Sequence, residues 1–179
     1  MGGPKALLRI EQQTFLERCC LLLDRPGVVE LIVVLGHDAD RVAAEGGVPT
    51  KASTVRNDLY RDGGMLSSIW CGLDQAARGE MDAVLVHPVD HPLVARETVD
   101  RVVAALHAGA RIAVPSFEGR RGHPAGFARS TWEALRGAAT AEGARAVLRS
   151  HPEWITHVAG ELGSVTGINT PEDYARLSS

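Results

Sequence analysis

Hydrophobic positions follow two different periods along this chain. Continuous apolar runs, such as ELIVVLG (30–36) and DAVLVH (82–87), are typical of strands covered on both faces. Stretches with apolar residues three and four positions apart, such as TFLERCCLLLDR (14–25), are typical of amphipathic helices. The two patterns alternate along the chain, which indicates an α/β protein.

The same pattern gives the predicted elements in order. Strands are predicted at 30–36, 51–57, 82–87, 111–117, 122–128 and 154–160. Helices are predicted at 14–25, 38–47, 65–77, 98–109, 130–139, 143–151 and 170–177. Thr14 with Glu17 forms a capping-box pattern, and Thr170 before Pro171 is the expected cap of the closing helix.

Strands separated by helices predict right-handed crossovers and a mostly parallel sheet with helices on both faces. The expected fold is therefore a three-layer α/β sandwich that occupies residues 1–179 as a single domain. In such sheets, ligands bind outside the carboxyl ends of the strands. Loops that follow a predicted strand are therefore the first places to look for chemistry.

Composition limits the classes of partner. A chain of 179 residues is long enough for one domain that buries roughly 70% of its extended surface. A net charge of −3 and 4% aromatic residues disfavour nucleic acid, which needs a basic face and stacking rings. No apolar run approaches the ~20 residues of a membrane span, and the first residues lack a signal-peptide pattern, so a cytoplasmic protein with no membrane partner is expected. Cys19, Cys20 and Cys71 lack zinc-site spacing and are predicted to be small core residues.

The loop VHPVDHPLV (86–94) follows the clearest predicted strand and carries Asp90 at the ligand-facing edge. Pro88 and Pro92 stiffen this loop. His87 and His91 are too few for a zinc site, whereas one carboxylate together with substrate phosphates suits Mg²⁺. The alternative is that Asp90 caps a turn or a helix.

Further loops carry candidate binding groups, each with a structural alternative. In RNDLYRDGGMLSSIWCGL (56–73), backbone N–H groups and hydroxyls at a helix start can meet a phosphate or sugar, or simply cap the helix. In EGRRGHPAGF (118–127), two arginines can grip an anion or merely be solvated. In GINTPEDY (167–174), Asn169 precedes a helix cap. The opening residues MGGPK combine turn-forming glycines and a proline with one cationic side chain.

Five motifs stand in fixed order: GGPKALL, GMLSSIWCGL, VHPVDHPLV, GRRGHPAGF and INTPEDYARL. Together they resemble the nucleotidyltransferase family that includes molybdenum cofactor cytidylyltransferase and the related guanylyltransferase. The resemblance spans nearly the whole chain and implies a Rossmann-like sheet of the nucleotide-diphospho-sugar transferase type. It also implies a Mg²⁺-dependent transferase of molybdenum cofactor biosynthesis.

The resemblance also implies site residues. Lys5 matches the family lysine that contacts phosphate, and Asp90 matches the aspartate that holds Mg²⁺, so these two are the catalytic candidates. Asn169 takes the place of a second metal ligand, although Gly167 stands where an aspartate or asparagine is often found. The nucleotide-binding candidates are Gly2, Gly3, Lys5, Asn57, Gly64 and Ser67. The acceptor-binding candidates are Arg121, Gly122 and His123.

One departure from the family concerns the start of the chain. Family members begin with a buried strand and a glycine-rich loop before the "PK", and this sequence lacks both. In this fold the strand would lie between the strands predicted at 30–36 and 82–87. We expect either a sequence shortened at this end, or a sheet that closes by direct pairing or with a neighbouring chain. In each case weak or absent activity is expected.

The expected reaction joins CMP from CTP to molybdopterin and releases pyrophosphate, with Mg²⁺ as cofactor. GTP or a sugar phosphate could replace this pair of substrates. A third possibility is a non-catalytic protein that binds molybdopterin or docks on a molybdoenzyme partner.

Overall fold

The computed structural model describes residues 3–138 and 143–177. Gly2, one of the candidate loop residues, lies outside these ranges. The strands are β1 (Arg9–Ile10), β2 (Gln13–Thr14), β3 (Ile32–Leu35), β4 (Ser53–Arg56), β5 (Ala83–Val86), β6 (Ile112–Phe117), β7 (Arg120–Arg121), β8 (Ala125–Ala128) and β9 (Ile155–Ala159). The helices are α1 (Phe15–Leu23), α2 (Ala39–Glu45), α3 (Gly64–Ala76), α4 (Arg96–His107), α5 (Trp132–Gly137), α6 (Ala144–Ser150), α7 (Leu162–Val165) and α8 (Pro171–Ala175).

Every strand and helix that the hydrophobic pattern predicts is present; most are shorter than predicted, whereas α3 and α4 have the predicted length and begin one and two residues earlier. The pattern did not predict the β1–β2 hairpin, β7 or α7, because elements of two to four residues are too short to show a period. Thr14 caps α1 as predicted, and its hydroxyl oxygen accepts a hydrogen bond from the Glu17 N–H at 3.0 Å.

The sheet is mostly parallel, as predicted. β3 and β4 pair in parallel, and β5, β6 and β9 run in one direction. β8 lies between β5 and β6 and runs antiparallel to both, and the short β7 is antiparallel to β6. Sequence alternation alone did not indicate this reversed strand.

Helices cover both faces of the sheet. On one face, α3 and α5 pack over a core that includes Leu73, Phe127 and Leu135, each almost fully buried. On the other face, α4 contributes Val99 to a cluster that also contains Leu22 of α1. Full burial of one such side chain stabilises the fold by roughly 1.5–3 kcal/mol. No helix within the described ranges is long and apolar enough to cross a membrane.

A cavity of about 700 Å³, which we call the slot, separates β3 from β5. Consecutive residues of both strands line it, at 30–34 and 81–89. Because neighbouring strand residues point to opposite faces, a consecutive run must present its backbone edge to the slot. β3 pairs with β4 and β5 with β8, and no pairing joins β3 to β5 in the part of the chain that is described. The gap thus lies where it was expected, and the alternative of direct pairing is wrong.

Candidate active site

Asp90 lies in the loop that leaves β5 at the carboxyl edge of the sheet. Its backbone carbonyl accepts a hydrogen bond from the Ile168 N–H at 2.8 Å, and Ile168 is buried. This bond holds the loop after β5 against the segment that leads into α8. The Asp90 side chain remains 23% exposed, so its carboxylate can reach a ligand in solution.

Three predicted site residues meet at this point. The Lys5 Nζ donates to Asn169 Oδ1 at 2.7 Å and lies 3.6 Å from Asp90 Oδ2. Lys5 belongs to a 3₁₀ turn whose Ala6 and Leu7 pack on the β3 side of the slot, so the turn spans from the β3 cluster to the β5 loop. The structure therefore brings a cation, a carboxylate and an amide oxygen together from distant parts of the sequence.

The backbone of Asn169 is fixed by the start of α8. Asp173 Oδ2 accepts hydrogen bonds from the N–H groups of Asn169 and Thr170, each at 3.0 Å. The Thr170 hydroxyl accepts from the Asp173 N–H at 3.1 Å, which completes a capping box. The backbone N–H groups of Asn169 and Thr170 hold the pKa of Asp173 below its usual value. Thr170 is the cap that the sequence predicted.

A side chain at Gly167 would require its neighbours to move. A Cβ at this position would lie 2.9 Å from Asn169 Nδ2 and 3.1 Å from His91 Nε2, which are the ends of two side chains.

Asn57 and Ser67 are buried and bonded to each other. The Asn57 Nδ2 donates to Ser67 Oγ at 2.8 Å and to Ser68 Oγ at 3.0 Å, while its Oδ1 accepts from the Leu59 N–H. Their side chains thus fix the loop between β4 and the first turn of α3, which begins at Gly64 with a φ of 56°. Gly3, by contrast, lies in the exposed segment before Lys5.

Arg121, Gly122 and His123 follow the edge of β6. The Gly122 N–H donates to the Pro115 carbonyl at 2.8 Å, and the His123 N–H donates to the Ser164 carbonyl at 2.9 Å. A Cβ at Gly122 would collide with that Ser164 carbonyl, so only glycine fits here. Arg121 is exposed, and its Nε lies 3.3 Å from His157 Nε2.

Three histidines join the Asp90 loop to the Arg121 loop. The rings of His91 and His123 meet edge to face, with their centroids 4.6 Å apart. His87 Nε2 lies 3.1 Å from the His91 carbonyl oxygen. Burial lowers the pKa of His87 to about 3 and that of His123 to about 4, and burial also lowers the pKa of His91. The cluster is therefore neutral at pH 7. Sequence analysis missed these contacts because they join loops far apart in the chain.

Among the described residues, no group of three His, Cys, Asp or Glu side chains could hold a metal ion. A cation at the Asp90 edge would instead bind the carboxylate and the Asn169 amide oxygen, completed by oxygens from a substrate.

A second polar cleft, of about 400 Å³, opens beyond the ends of β3 and β4. Asp40, Arg56, Asn57 and Tyr60 contribute to its lining, and Arg56 pairs with Asp40. Sequence analysis did not single out this cleft. The signal was available, because polar residues follow two neighbouring parallel strands.

Polar groups gathered at the carboxyl edge of a Rossmann-like sheet, with a lysine beside a carboxylate, are what an α/β protein that binds a ligand at this edge presents. The chain belongs to the MobA-like NTP transferase domain family, whose model matches residues 1–154. It is accordingly an enzyme of the transferase class.

Curated relatives carry different names. The chain is 31% identical to the nicotine blue oxidoreductase of Paenarthrobacter nicotinovorans over 188 residues, covering 98% of this chain and 88% of that protein. It is also 31% identical to the 2-C-methyl-D-erythritol 4-phosphate cytidylyltransferase of Streptomyces avermitilis over 119 residues, which is 65% of this chain and 47% of that protein.

Solved structures agree on the fold. Rv0371c from Mycobacterium tuberculosis superimposes with a TM-score of 0.82 at 24% identity, covering 99% of this chain and 89% of that one. A second structure of Rv0371c, in complex with manganese, superimposes with a TM-score of 0.77 at 24% identity, over 98% of this chain and 92% of that one.

Proposed function

We propose that the chain transfers the CMP group of CTP to the terminal phosphate of molybdopterin and releases pyrophosphate. The observation that carries this proposal is the meeting of Lys5, Asp90 and Asn169 at the carboxyl edge of the sheet. A mobile cation beside two oxygen ligands is what a site for a metal-bound triphosphate requires.

A divalent cation fits the residues present. Carboxylate and amide oxygens are hard ligands of the kind that Mg²⁺ prefers, and a lysine ammonium already occupies the space next to both as a stand-in cation. Asp90 and Asn169 would hold Mg²⁺, and the ion would neutralise charge on the phosphate oxygens. The manganese complex of Rv0371c supports divalent metal use among similar proteins.

The remaining steps belong to the protein's own groups. Lys5 would bind the pyrophosphate as it leaves, and Gly3 with the loop from Asn57 to Ser67 would line the nucleotide site. Arg121, Gly122 and His123 would orient the acceptor. The acceptor phosphate is already ionised at neutral pH, so the reaction needs no general base. The neutral histidine cluster is consistent with a reaction that needs no general base, because its rings pack the loops together and carry no charge.

Two features favour CTP and molybdopterin over the other substrates. The GRRGHP loop resembles the cytidylyl branch, and a cytidylyltransferase is among the relatives. The alternatives are a guanylyltransferase that uses GTP and a nucleotidyltransferase that acts on a sugar phosphate. We expect the enzyme to work in the cytoplasm and to pass its product to a molybdoenzyme partner.

The name of the relative that covers 98% of this chain makes a redox reaction the second candidate function. Reduction of nicotine blue by an added electron donor in the presence of the purified chain, with no requirement for a nucleoside triphosphate, would favour that candidate.

The test of the transferase proposal measures pyrophosphate released from CTP or GTP in the presence of Mg²⁺ and molybdopterin. Slow release is expected with CTP and should fall at least about a hundredfold in the Asp90→Asn variant, because a neutral amide cannot offset the metal charge. Asp24→Asn is the matched control, because Asp24 is a surface carboxylate that also pairs with a lysine. Turnover of Asp90→Asn near the parent level would refute the role of Asp90.

A further inference from the structure

The Lys5 ammonium lies on the same two oxygens that the proposed function gives to the metal ion. Its Nζ is 2.7 Å from Asn169 Oδ1 and 3.6 Å from Asp90 Oδ2. The backbones that carry these two oxygens are held by groups other than Lys5. The Ile168 N–H holds the Asp90 backbone, and the Asp173 carboxylate holds that of Asn169. The lysine is the movable member of the group, because its charge sits on a flexible four-carbon stem.

We infer that Lys5 is an exchangeable cation that occupies the metal position until a nucleoside triphosphate draws it away. Metal alone then binds weakly, and metal and nucleotide bind together. This inference rests on the proposed function and deepens it, because it assigns an order of binding to the same site.

Electrostatics requires the exchange. Two like charges within about 4 Å repel strongly near a protein surface, and the repulsion doubles when one of them is divalent. Mg²⁺ also needs oxygen contacts of about 2.0–2.1 Å, which an ammonium seated between the same oxygens would obstruct. Lys5 must therefore leave when the metal enters. A triphosphate offers it new anionic partners at the same edge of the sheet.

Among the described residues, two basic side chains lie within ion-pair distance of the Asp90 carboxylate. His91 Nε2 lies 4.0 Å from Asp90 Oδ1, and Lys5 Nζ lies 3.6 Å from Asp90 Oδ2. The Lys5 ammonium is the nearer of the two and also contacts Asn169, so it is the group that would compete with a metal ion.

The first experiment measures Mn²⁺ binding without nucleotide, from the loss of the free-ion electron paramagnetic resonance signal. Lys5→Met keeps most of the apolar stem and removes the charge. It is expected to raise Mn²⁺ affinity about tenfold, within the 5–150-fold range typical of coupled sites. An unchanged affinity would overturn the inference.

The chain offers a matched control in its other lysine. Lys51 forms an ion pair with Asp24 at 2.6 Å on the surface. Lys51→Met changes the net charge by the same amount and is expected to alter Mn²⁺ affinity less than about twofold, because exposed charges are screened. An equal rise in both variants would show a net-charge effect and overturn the inference.

The second experiment repeats the titration with CTP present and no acceptor. Parent protein is expected to gain Mn²⁺ affinity on adding CTP by a larger factor than Lys5→Met, because the variant has already lost the competing cation. By linkage, Mn²⁺ must raise CTP affinity by the same factor in each protein. Equal factors in the two proteins would contradict the exchange.

Asp90→Asn separates this inference from the proposed function. If Asp90→Asn leaves Mn²⁺ binding unchanged both in the parent protein and in Lys5→Met, the metal site itself is wrong and both proposals fail. If Asp90→Asn abolishes binding but Lys5→Met does not raise it, the metal site stands and the exchange fails. Circular dichroism of every variant verifies that each one is folded.

Discussion

Burial sets the charge of the histidines beside Asp90. The carbonyl of His91 can only accept, so His87 Nε2 must carry the hydrogen in this contact. The His87 Nδ1 is buried without a partner in the structure, and protonating it would place a charge in an apolar environment. For this reason the folded state favours neutral His87, with a pKa lowered to about 3.

This shift predicts a pH dependence of stability. A histidine in the unfolded chain has a pKa near 6.5. Below pH 6.5 the unfolded state therefore binds a proton that His87 does not bind in the folded state. The free energy of unfolding should therefore fall as pH drops from about 6.5 toward 3, by up to about 1.4 kcal/mol per pH unit for one histidine. His87→Gln, which keeps a donor, should flatten this slope in urea unfolding midpoints. His37→Gln, which replaces an exposed ring, is the control and should leave the pH slope as in the parent. A slope in His87→Gln as steep as that of the parent would contradict the assignment of the slope to His87.

Sequence analysis identified Asp90 because it follows a buried strand, and Asn169 because it precedes a helix cap within a motif that resembles the family's. It could not predict that Ser67 would be buried against Asn57, since burial depends on packing. It could not predict the contact of His91 with His123 either, because that contact joins separate loops.

The short helix α8 positions Asn169 through its capping box. Removing the Thr170 hydroxyl leaves the Asp173 N–H without its partner and loosens the first turn. Replacing such a cap by alanine typically costs about 1 kcal/mol.

Thr170→Ala is therefore expected to lower the melting temperature by about 2–4 °C. Nucleotide-dependent Mn²⁺ binding should weaken more than this small loss suggests, because Asn169 is displaced. Thr50→Ala, in an exposed turn, serves as control. Unchanged Mn²⁺ binding in Thr170→Ala would show that α8 does not position the ligand.

Elements with a clear period were predictable, and their partners in the sheet were not. The run AGFA identified β8 as a strand, but its direction follows from the tight turn at 118–119, between β6 and β7, and not from its own residues. The Gly122 contact with Ser164 likewise depends on α7, whose four residues show no period.

The slot divides the sheet into two parts with unpaired edges. The backbone carbonyls of Leu31 and Leu35 accept hydrogen bonds from the β4 side. Because backbone groups alternate in direction along a strand, the N–H and C=O groups of Ile32 and Val34 point toward the slot. The Asp82 carbonyl accepts a hydrogen bond from the Arg129 N–H beside β8. By the same alternation, the backbone N–H and C=O groups of Leu85 point toward the slot. Two strands without partners on one side should be the least protected part of the sheet.

Hydrogen exchange can measure this directly. The amides of Val34 and Leu85 are expected to exchange at least about tenfold faster than those of Val33 and Val84 in the same strands, because the latter point to paired neighbours. The paired amides are internal controls for local solvent access. Equal protection on both sides of β3 and β5 would mean that the slot is closed in solution.

The hydrogen bond between Lys5 and Asn169 joins residues 164 positions apart. During synthesis on the ribosome, the lysine emerges from the exit tunnel long before the amide that it contacts is translated. A nascent chain released near residue 154 would contain every residue matched by the family model and still lack this partner. The contact between Lys5 and Asn169 can therefore form only after the segment beyond residue 154 has been made.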